Sequence, residues 1–180
     1  MNLAEMYQER RTTPSDIYLH LPRLVTLVEA MNAQHVIELG SRSGVSTVAW
    51  LFALEQNGGR LTSIDLDCAP QIGTWGHWRH IQGNDLDPAV IAQLDPADII
   101  LIDTSHALQQ TRDELEAYLP LVKRPGLIVL HDTELPQPMD APLRDGVFPV
   151  KRAVREFVKR HGFEWDNYPE CWGLGIIKVV

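Results

Sequence analysis

The chain has 180 residues, of which 44% are hydrophobic and 22% are charged. This composition is typical of a globular protein and excludes disordered and fibrous classes, and the length favours one domain over residues 1–180. The net charge of -8 gives no general attraction to phosphate backbones or anionic lipids, so we expect neither nucleic acid nor a membrane as partner.

Cysteine usage and the N-terminal residues bear on the compartment. Cys68 and Cys171 lie far apart in the sequence, and neither belongs to a metal-binding or redox motif. Residues 1–11 are polar, and no segment reaches the roughly 20 apolar residues that span a bilayer. We therefore expect a cytoplasmic protein.

Hydrophobic periodicity predicts strands that alternate with helices along the chain. A leading helix is expected over residues 17–31, within an N-terminal helical cap at 1–31. The predicted strands cover residues 35–39, 61–64, 78–82, 98–103, 127–130, 163–168 and 174–179. The predicted helices between them cover residues 45–54, 108–122 and 150–160. A proline-rich segment at 133–149 is long enough to serve as a substrate loop.

The predicted strands contain continuous apolar runs, as in Ile99 to Ile102, rather than an alternating pattern. Such runs, together with the alternation of strands and helices, predict an α/β fold with a mostly parallel sheet covered on both faces. Ligands of such sheets bind beyond the carboxyl ends of the strands.

Acidic residues stand at that edge of four predicted strands, and these residues are Glu38, Asp65, Asp103 and Asp132. A single acid at a strand end is often only solvated. Four acids at one edge indicate a polar site there.

The first turn, Glu38 to Gly44, has two glycines separated by three residues. It lacks the three glycines of the dinucleotide-binding fingerprint, and no Gly-Lys-Ser/Thr of a phosphate-binding loop follows. Its carboxylate would repel phosphate. The turn therefore favours a ligand with a positive group and without phosphate at this position.

The acid, the GxxxG turn and the second acid together resemble the class I S-adenosylmethionine-dependent methyltransferases. The matching residues are Glu38, Gly40, Gly44 and Asp65. The resemblance implies a Rossmann-like, doubly wound, seven-stranded sheet with an antiparallel last strand and helices on both faces. It also implies that the glycines let the backbone approach the methionine part of the cofactor.

The same resemblance implies roles for further cofactor-binding residues. Asp65 is expected to accept hydrogen bonds from the ribose hydroxyls, with Asp67 as the alternative. Asp85 is expected near the adenine, where it could accept from the exocyclic amine, or else to be a turn or N-cap residue. Ser41 and Asp103 are included in the predicted cofactor site.

Asp103-Thr104-Ser105-His106 and His131-Asp132 resemble a narrower group, the metal-dependent O-methyltransferases of the family 24 type. This resemblance implies that Asp103, His131 and Asp132 hold magnesium and that His106 is the general base, although His106 could instead be a helix-start residue. His131 departs from the group, which usually has a carboxylate or amide there. Imidazole suits manganese, iron, nickel or zinc better than magnesium, so the metal could differ, and a metal-free polar pocket is the alternative.

The predicted function is transfer of a methyl group from S-adenosylmethionine to a hydroxyl of a small molecule, assisted by His106 and a divalent metal. The alternatives are N-methylation, a hydroxylase-like reaction, and a cofactor-binding protein without turnover. The acceptor is not identified by the sequence. The final strands offer an edge or face through which a homodimer could form.

Overall fold

The computed structural model of the protein describes residues 1–136 and 148–180. Its helices in chain order are α1 (Leu3–Thr12), α2 (Leu21–Met31), α3 (Val45–Glu55), α4 (Pro88–Ile91), α5 (Leu108–Tyr118) and α6 (Pro149–His161). Its strands are β1 (His35–Leu39), β2 (Arg60–Asp65), β3 (Trp78–Gln82), β4 (Ala97–Ile102), β5 (Val122–His131), β6 (Glu164–Tyr168) and β7 (Leu174–Val179).

The strands form one sheet in the order β3-β2-β1-β4-β5-β7-β6. The pairs among β1 to β5 are parallel, whereas β7 runs antiparallel to both of its neighbours, β5 and β6. The chain leaves β1 in one direction across the sheet and later returns to its other side, so β1 and β4 mark the topological switch point. The prediction of a Rossmann-like, doubly wound sheet with an antiparallel last strand is confirmed.

Two hydrophobic layers cover the sheet, as continuous apolar strands require. Along β4, Ile99 and Leu101 pack into the layer that contains α1, α2 and α3. Ile100 and Ile102 face the opposite layer, which contains α5 and α6. Because successive side chains of a strand point to opposite faces, one unbroken apolar run contributes to both layers and holds the strand ends rigidly.

The helix predicted over residues 17–31 begins later than expected, at Leu21, after a single 3₁₀ turn at Tyr18–His20. Pro22 explains the difference, because proline has no backbone N–H and is accommodated in the first turn of a helix. In the same way, the helix predicted over 108–122 ends at Tyr118, and a 3₁₀ turn containing Pro120 follows. β5 is longer than predicted: it begins at Val122, whereas the prediction placed its start after Pro125.

The N-terminal residues form a helix of their own, α1. Asn2 and Glu5 make a reciprocal capping box at its start, and the helix buries Leu3, Met6 and Tyr7. These residues were predicted only as part of the helical cap over residues 1–31, since Glu5, Glu9, Arg10 and Arg11 interrupt their short apolar stripe.

The predicted substrate loop at 133–149 lies mostly outside the described residues, which omit 137–147. Its first residues are attached to the last strand pair, since the Thr133 hydroxyl donates to Asn167 Oδ1 at 2.7 Å. In the part of the chain that the structure describes, no helix combines the length and the apolar character needed to cross a membrane.

Candidate active site

The turn after β1 depends on its two glycines. Gly40 has φ +85°, and a Cβ atom there would lie 1.9 Å from the backbone oxygen of Asp103. Gly44 has φ +79°, and a Cβ atom there would lie 2.9 Å from the Ile72 side chain. Both φ values favour glycine, and neither position has room for a side chain. The GxxxG spacing therefore lets the β1 turn lie directly against the end of β4.

Glu38 lies inside the protein beneath this turn, with no exposed surface. Its carboxylate accepts hydrogen bonds from the hydroxyls of Ser46 at 2.7 Å, Thr47 at 2.8 Å and Ser63 at 2.6 Å. Burial raises the pKa of Glu38 to about 7, although the three hydroxyl donors act in the opposite direction. In this arrangement, Glu38 connects β1, the start of α3 and β2, and it supports the glycine turn from below.

Asp65, at the end of β2, is largely occupied by backbone donors. Its Oδ2 accepts from the amides of Ser41 at 2.7 Å and Arg42 at 2.8 Å, and its Oδ1 accepts from the amide of Asp67 at 3.0 Å. Burial tends to raise the pKa of Asp65, but these amides hold it below its usual value. Oδ1 retains room for one further donor, so Asp65 can serve one ligand hydroxyl while it fixes the turn.

A cavity of about 390 Å³ lies beyond the strand ends. It extends from the ends of β1 and β4 to the turn after β3, and its wall includes the predicted residues Gly40, Asp65, Asp85 and Asp103. Asp87, not Asp85, caps α4, so the N-cap alternative for Asp85 is wrong. The predicted cofactor residues Glu38, Ser41 and Gly44 do not line this cavity; they shape the turn beside it.

A smaller recess adjoins the cavity and is lined by Ser41, Asp103 and His106, among others. Gly40 and Asp103 belong to the walls of both spaces. The recess and the cavity are therefore neighbouring parts of one site.

The His106 side chain contacts two aspartates, Asp103 in the wall of the recess and Asp132 after β5. Its Nε2 lies 2.8 Å from Asp132 Oδ2 and 3.4 Å from Asp103 Oδ1. His106 has φ +57° and immediately precedes Ala107, the N-cap residue of α5. A bulky residue in the left-handed region is uncommon and often marks a functional position. The helix-start alternative describes the place of His106 in the chain, whereas its side chain is held by the aspartates.

His131, at the end of β5, is buried and held on both sides of its ring. Nε2 lies 2.9 Å from the carbonyl oxygen of Cys171 and 3.2 Å from that of Asp16. Because carbonyl oxygens only accept hydrogen bonds, Nε2 must carry a proton. Nδ1 lies 3.1 Å from Asp132 Oδ2 and 3.4 Å from Asp103 Oδ1. A lone pair on Nδ1 would face two anions, so this arrangement needs a cation between them, either a second proton on the ring or a metal ion.

The donor set fits a divalent metal. One carboxylate oxygen each from Asp103 and Asp132 and one ring nitrogen of His131 lie within 4.8 Å of one another. Burial lowers the pKa of an imidazole, but the two carboxylates raise that of His131 to about 11 and that of His106 to about 9. The site therefore attracts positive charge strongly. The predicted roles of Asp103, His131 and Asp132 as metal ligands remain predictions.

Further polar residues of the site were not among those predicted from the sequence. Thr104 and Gln110 line the cavity, and both donate to Glu114, which is fully buried on α5. A signal for Glu114 was present in the sequence, because it shares the inner face of an amphipathic helix with Leu115 and Tyr118. A charged residue on such a face calls for a buried partner.

A family model described as a methyltransferase domain matches residues 37–133, more than half of the chain. This chain belongs to that methyltransferase family. The matched segment runs from β1 past the end of β5, so it includes the glycine turn and all four acids at the strand ends. No curated protein matches the chain.

Solved structures of methyltransferases have the same fold over almost the whole chain. A putative caffeoyl-CoA O-methyltransferase from Staphylococcus aureus superposes with a TM-score of 0.69 at 20% identity, over 98% of this chain and 90% of that chain. The O-methyltransferase TomG from Streptomyces achromogenes, involved in tomaymycin synthesis and solved with S-adenosylmethionine, gives 0.68 at 17% identity, over 99% and 89%. MycE of the mycinamycin biosynthetic pathway, solved with magnesium and S-adenosylhomocysteine, gives 0.73 at 18% identity, over 99% of this chain and 54% of MycE.

Proposed function

We propose that this methyltransferase transfers a methyl group from S-adenosylmethionine to a hydroxyl of a small molecule. The observation that carries the proposal is the junction of the two spaces, where Gly40 and Asp103 line both the cavity and the recess that contains His106. A methyl donor in the cavity would thus meet an acceptor beside a histidine and two carboxylates. TomG and MycE, which bind S-adenosylmethionine or its product, support the choice of donor.

The cavity contains groups suited to the two polar ends of the cosubstrate. Gly40 allows close backbone approach at the turn, and Asp65 Oδ1 can accept from a ribose hydroxyl. Asp85 is available at the far end for the purine amino group. S-adenosylmethionine supplies the methyl group, which leaves its sulfonium sulfur and bonds to the acceptor oxygen.

Asp103, Asp132 and His131 are the residues that would hold a divalent metal. When bound, such an ion lowers the pKa of an acceptor hydroxyl and helps to orient it. The imidazole ligand favours manganese, iron, nickel or zinc over magnesium, although MycE was solved with magnesium.

His106 is proposed as the group that takes the acceptor proton, at Nε2. Asp103 and Asp132 raise the pKa of His106 to about 9, which leaves the imidazole protonated near neutral pH, and a protonated ring is no base. The base role therefore requires a second cation to offset the charges of Asp103 and Asp132. This requirement links the metal and the histidine in one hypothesis.

Calorimetric titration with S-adenosylhomocysteine tests the cosubstrate site. We expect micromolar binding by the parent protein and at least about tenfold weaker binding by Asp65→Asn, because an amide that keeps its oxygen on the Ser41 and Arg42 amides turns its NH2 group toward the Asp67 amide and removes the acceptor for a ribose hydroxyl. Asp67→Asn tests the alternative ribose acceptor and should change the affinity little if Asp65 is the acceptor, since only the backbone amide of Asp67 contacts Asp65. Folded parent protein that binds no S-adenosylhomocysteine would remove the proposal.

The acceptor class is tested with isotopically labelled S-adenosylmethionine and two panels of small molecules, one with hydroxyls and one with amines. Label in methyl ethers, lost in His106→Ala and after chelation, supports O-methylation by this route. Label only in methylamines would favour the N-methylation alternative. Binding without transfer to either panel would favour the binding-protein alternative.

A further inference from the structure

Two buried carboxyl groups, those of Asp85 and Glu114, meet at the wall of the cavity. Glu114, on α5, has no exposed surface, and Asp85, in the turn after β3, is 8% exposed. Glu114 Oε2 and Asp85 Oδ2 are both buried, and neither has a hydrogen-bond partner within the described residues. An unpaired buried oxygen is costly and requires an explanation.

The remaining oxygens of this pair are well supplied with donors. Glu114 Oε1 accepts from the Thr104 hydroxyl at 2.6 Å and from Gln110 Nε2 at 2.9 Å. Gln110 Nε2 also lies 3.4 Å from Asp85 Oδ1, and the Tyr118 hydroxyl donates to the Asp85 carbonyl at 2.8 Å. These contacts hold both residues in place and leave one oxygen of each acid without a donor.

A shared proton resolves this arrangement. Burial raises the pKa of Glu114, and a hydrogen bond with the neighbouring Asp85 contributes to the rise. Two adjacent carboxylates cannot both ionise without strong repulsion. One proton shared between the two carboxyl groups would give their unpaired oxygens a hydrogen bond and leave the pair with a single negative charge.

We propose that Glu114 shares its proton with Asp85 and thereby positions Asp85 as a charged acceptor for the 6-amino group of the cosubstrate's purine. The inference rests on the proposed function, which supplies the purine. Asp85 lines the cavity, whereas Glu114 lies behind it, so Glu114 is a positioning residue. It acts on specificity through Asp85 and does not touch the ligand.

This role predicts discrimination between two purines that differ in one group. An adenine presents a donor at position 6, whereas a hypoxanthine presents an acceptor there. A fixed carboxylate accepts from the first and repels the second, and a site built to hydrogen-bond one group rejects its counterpart strongly. S-adenosylhomocysteine and S-inosylhomocysteine therefore form a matched pair of ligands.

The experiment compares the calorimetric affinities of the two ligands for the parent, Glu114→Gln and Glu114→Leu. We expect the parent to prefer S-adenosylhomocysteine by at least about tenfold. Glu114→Gln should keep the preference, because its amide can donate to Asp85 while its oxygen accepts from Thr104 and Gln110. Glu114→Leu should lose most of the preference, because Asp85 loses its donor. Glu116→Leu, on the exposed face of the same helix, is the control and should keep it.

Two results would overturn the role of Glu114, namely a preference that survives in Glu114→Leu or an equal loss of affinity for both ligands. If the leucine variant does not fold, the infrared spectrum decides. Because Glu38, with a pKa of about 7, also contributes a protonated carboxyl band near neutral pH, the spectra are compared in a Glu38→Gln background. In that background the band should be present and should be lost when Glu114→Gln is added, and its absence before that change contradicts the proposal. Failure of the folded parent to bind either ligand would instead refute the proposed function.

Discussion

The two ends of the site satisfy their carboxylates in different ways. At the cofactor end, Asp65 and Glu38 accept hydrogen bonds from neutral donors, which are backbone amides and hydroxyls. At the reaction end, Asp103 and Asp132 contact the imidazoles of His106 and His131. These neutral donors hold each carboxylate in one geometry. Imidazoles can gain or lose a proton near neutral pH, which is why we propose proton transfer at the second end and cosubstrate binding at the first.

The largest expected effect comes from Gly40, where the two ends touch. In Gly40→Ala, the new Cβ would meet the Asp103 carbonyl at 1.9 Å and push the β1 turn away from the end of β4. We expect the free energy of unfolding to fall by about 3 kcal/mol or more, since overpacking adds to strain at positive φ. Urea denaturation measures this loss.

Gly58→Ala is the matched control for this variant. Gly58 has φ +72°, but a Cβ there would have nothing within 4 Å. Only the conformational penalty of about 1 to 2 kcal/mol then applies. Equal losses in the two variants would mean that the close contact between the β1 turn and the end of β4 adds nothing to the destabilisation by a side chain at residue 40.

The next prediction concerns metal binding, which we expect to depend on the residues of the reaction end and not on those of the cofactor end. We expect chelator-treated parent protein to bind Co²⁺ more tightly than Mg²⁺, because the Nδ1 atom of His131 faces the two aspartates. Asp132→Asn should weaken Co²⁺ binding by about a hundredfold, whereas Glu38→Gln should leave it unchanged. Calorimetry and the visible absorption of bound Co²⁺ provide independent measurements.

Two results would contradict a metal site at His131. If the parent binds neither ion, or if Asp132→Asn binds Co²⁺ as well as the parent does, then the cation at His131 is a proton. The site would then be the metal-free polar pocket that the sequence left as an alternative.

The sequence predicted the sheet and the positions of its acids well for a physical reason. Apolar runs such as Ile99 to Ile102 are buried on both faces, so their ends are sharply defined and the following acid lies at the edge. The predicted start of α2 was wrong. The apolar spacing continues upstream of Leu21, but the helix begins at Leu21 with Pro22 in its first turn.

Contacts between segments that are distant in the sequence could not be predicted from local patterns. The tautomer of His131 depends on the carbonyl groups of Asp16 and Cys171, which the fold brings from opposite ends of the chain. Glu114 likewise meets Asp85 only because α5 packs over the turn after β3. A pattern along one segment identifies the unusual residue, but its partner is a property of the folded chain.

The smallest expected effect tests the cofactor end alone, through the pH dependence of stability. The folded-state pKa of Glu38, about 7, lies above its usual value of 4.5, so the folded protein holds a proton that the unfolded chain releases. The resulting contribution to stability is full below about pH 4.5 and is lost as the pH rises through about 7. Relative to the parent, Glu38→Gln should therefore gain on the order of 2 kcal/mol between pH 5 and pH 8.

Urea denaturation of both proteins across this range measures the gain, and the difference between them removes the contributions of other titrating groups. Glu55→Gln, at the exposed end of α3, should differ from the parent by the same amount at every pH. A constant difference for Glu38→Gln as well would mean that three hydroxyl donors suffice to keep a buried carboxylate ionised. In that case neutral donors would stabilise charge as effectively as the imidazoles at the reaction end, and the contrast between the two ends would rest on geometry rather than on charge.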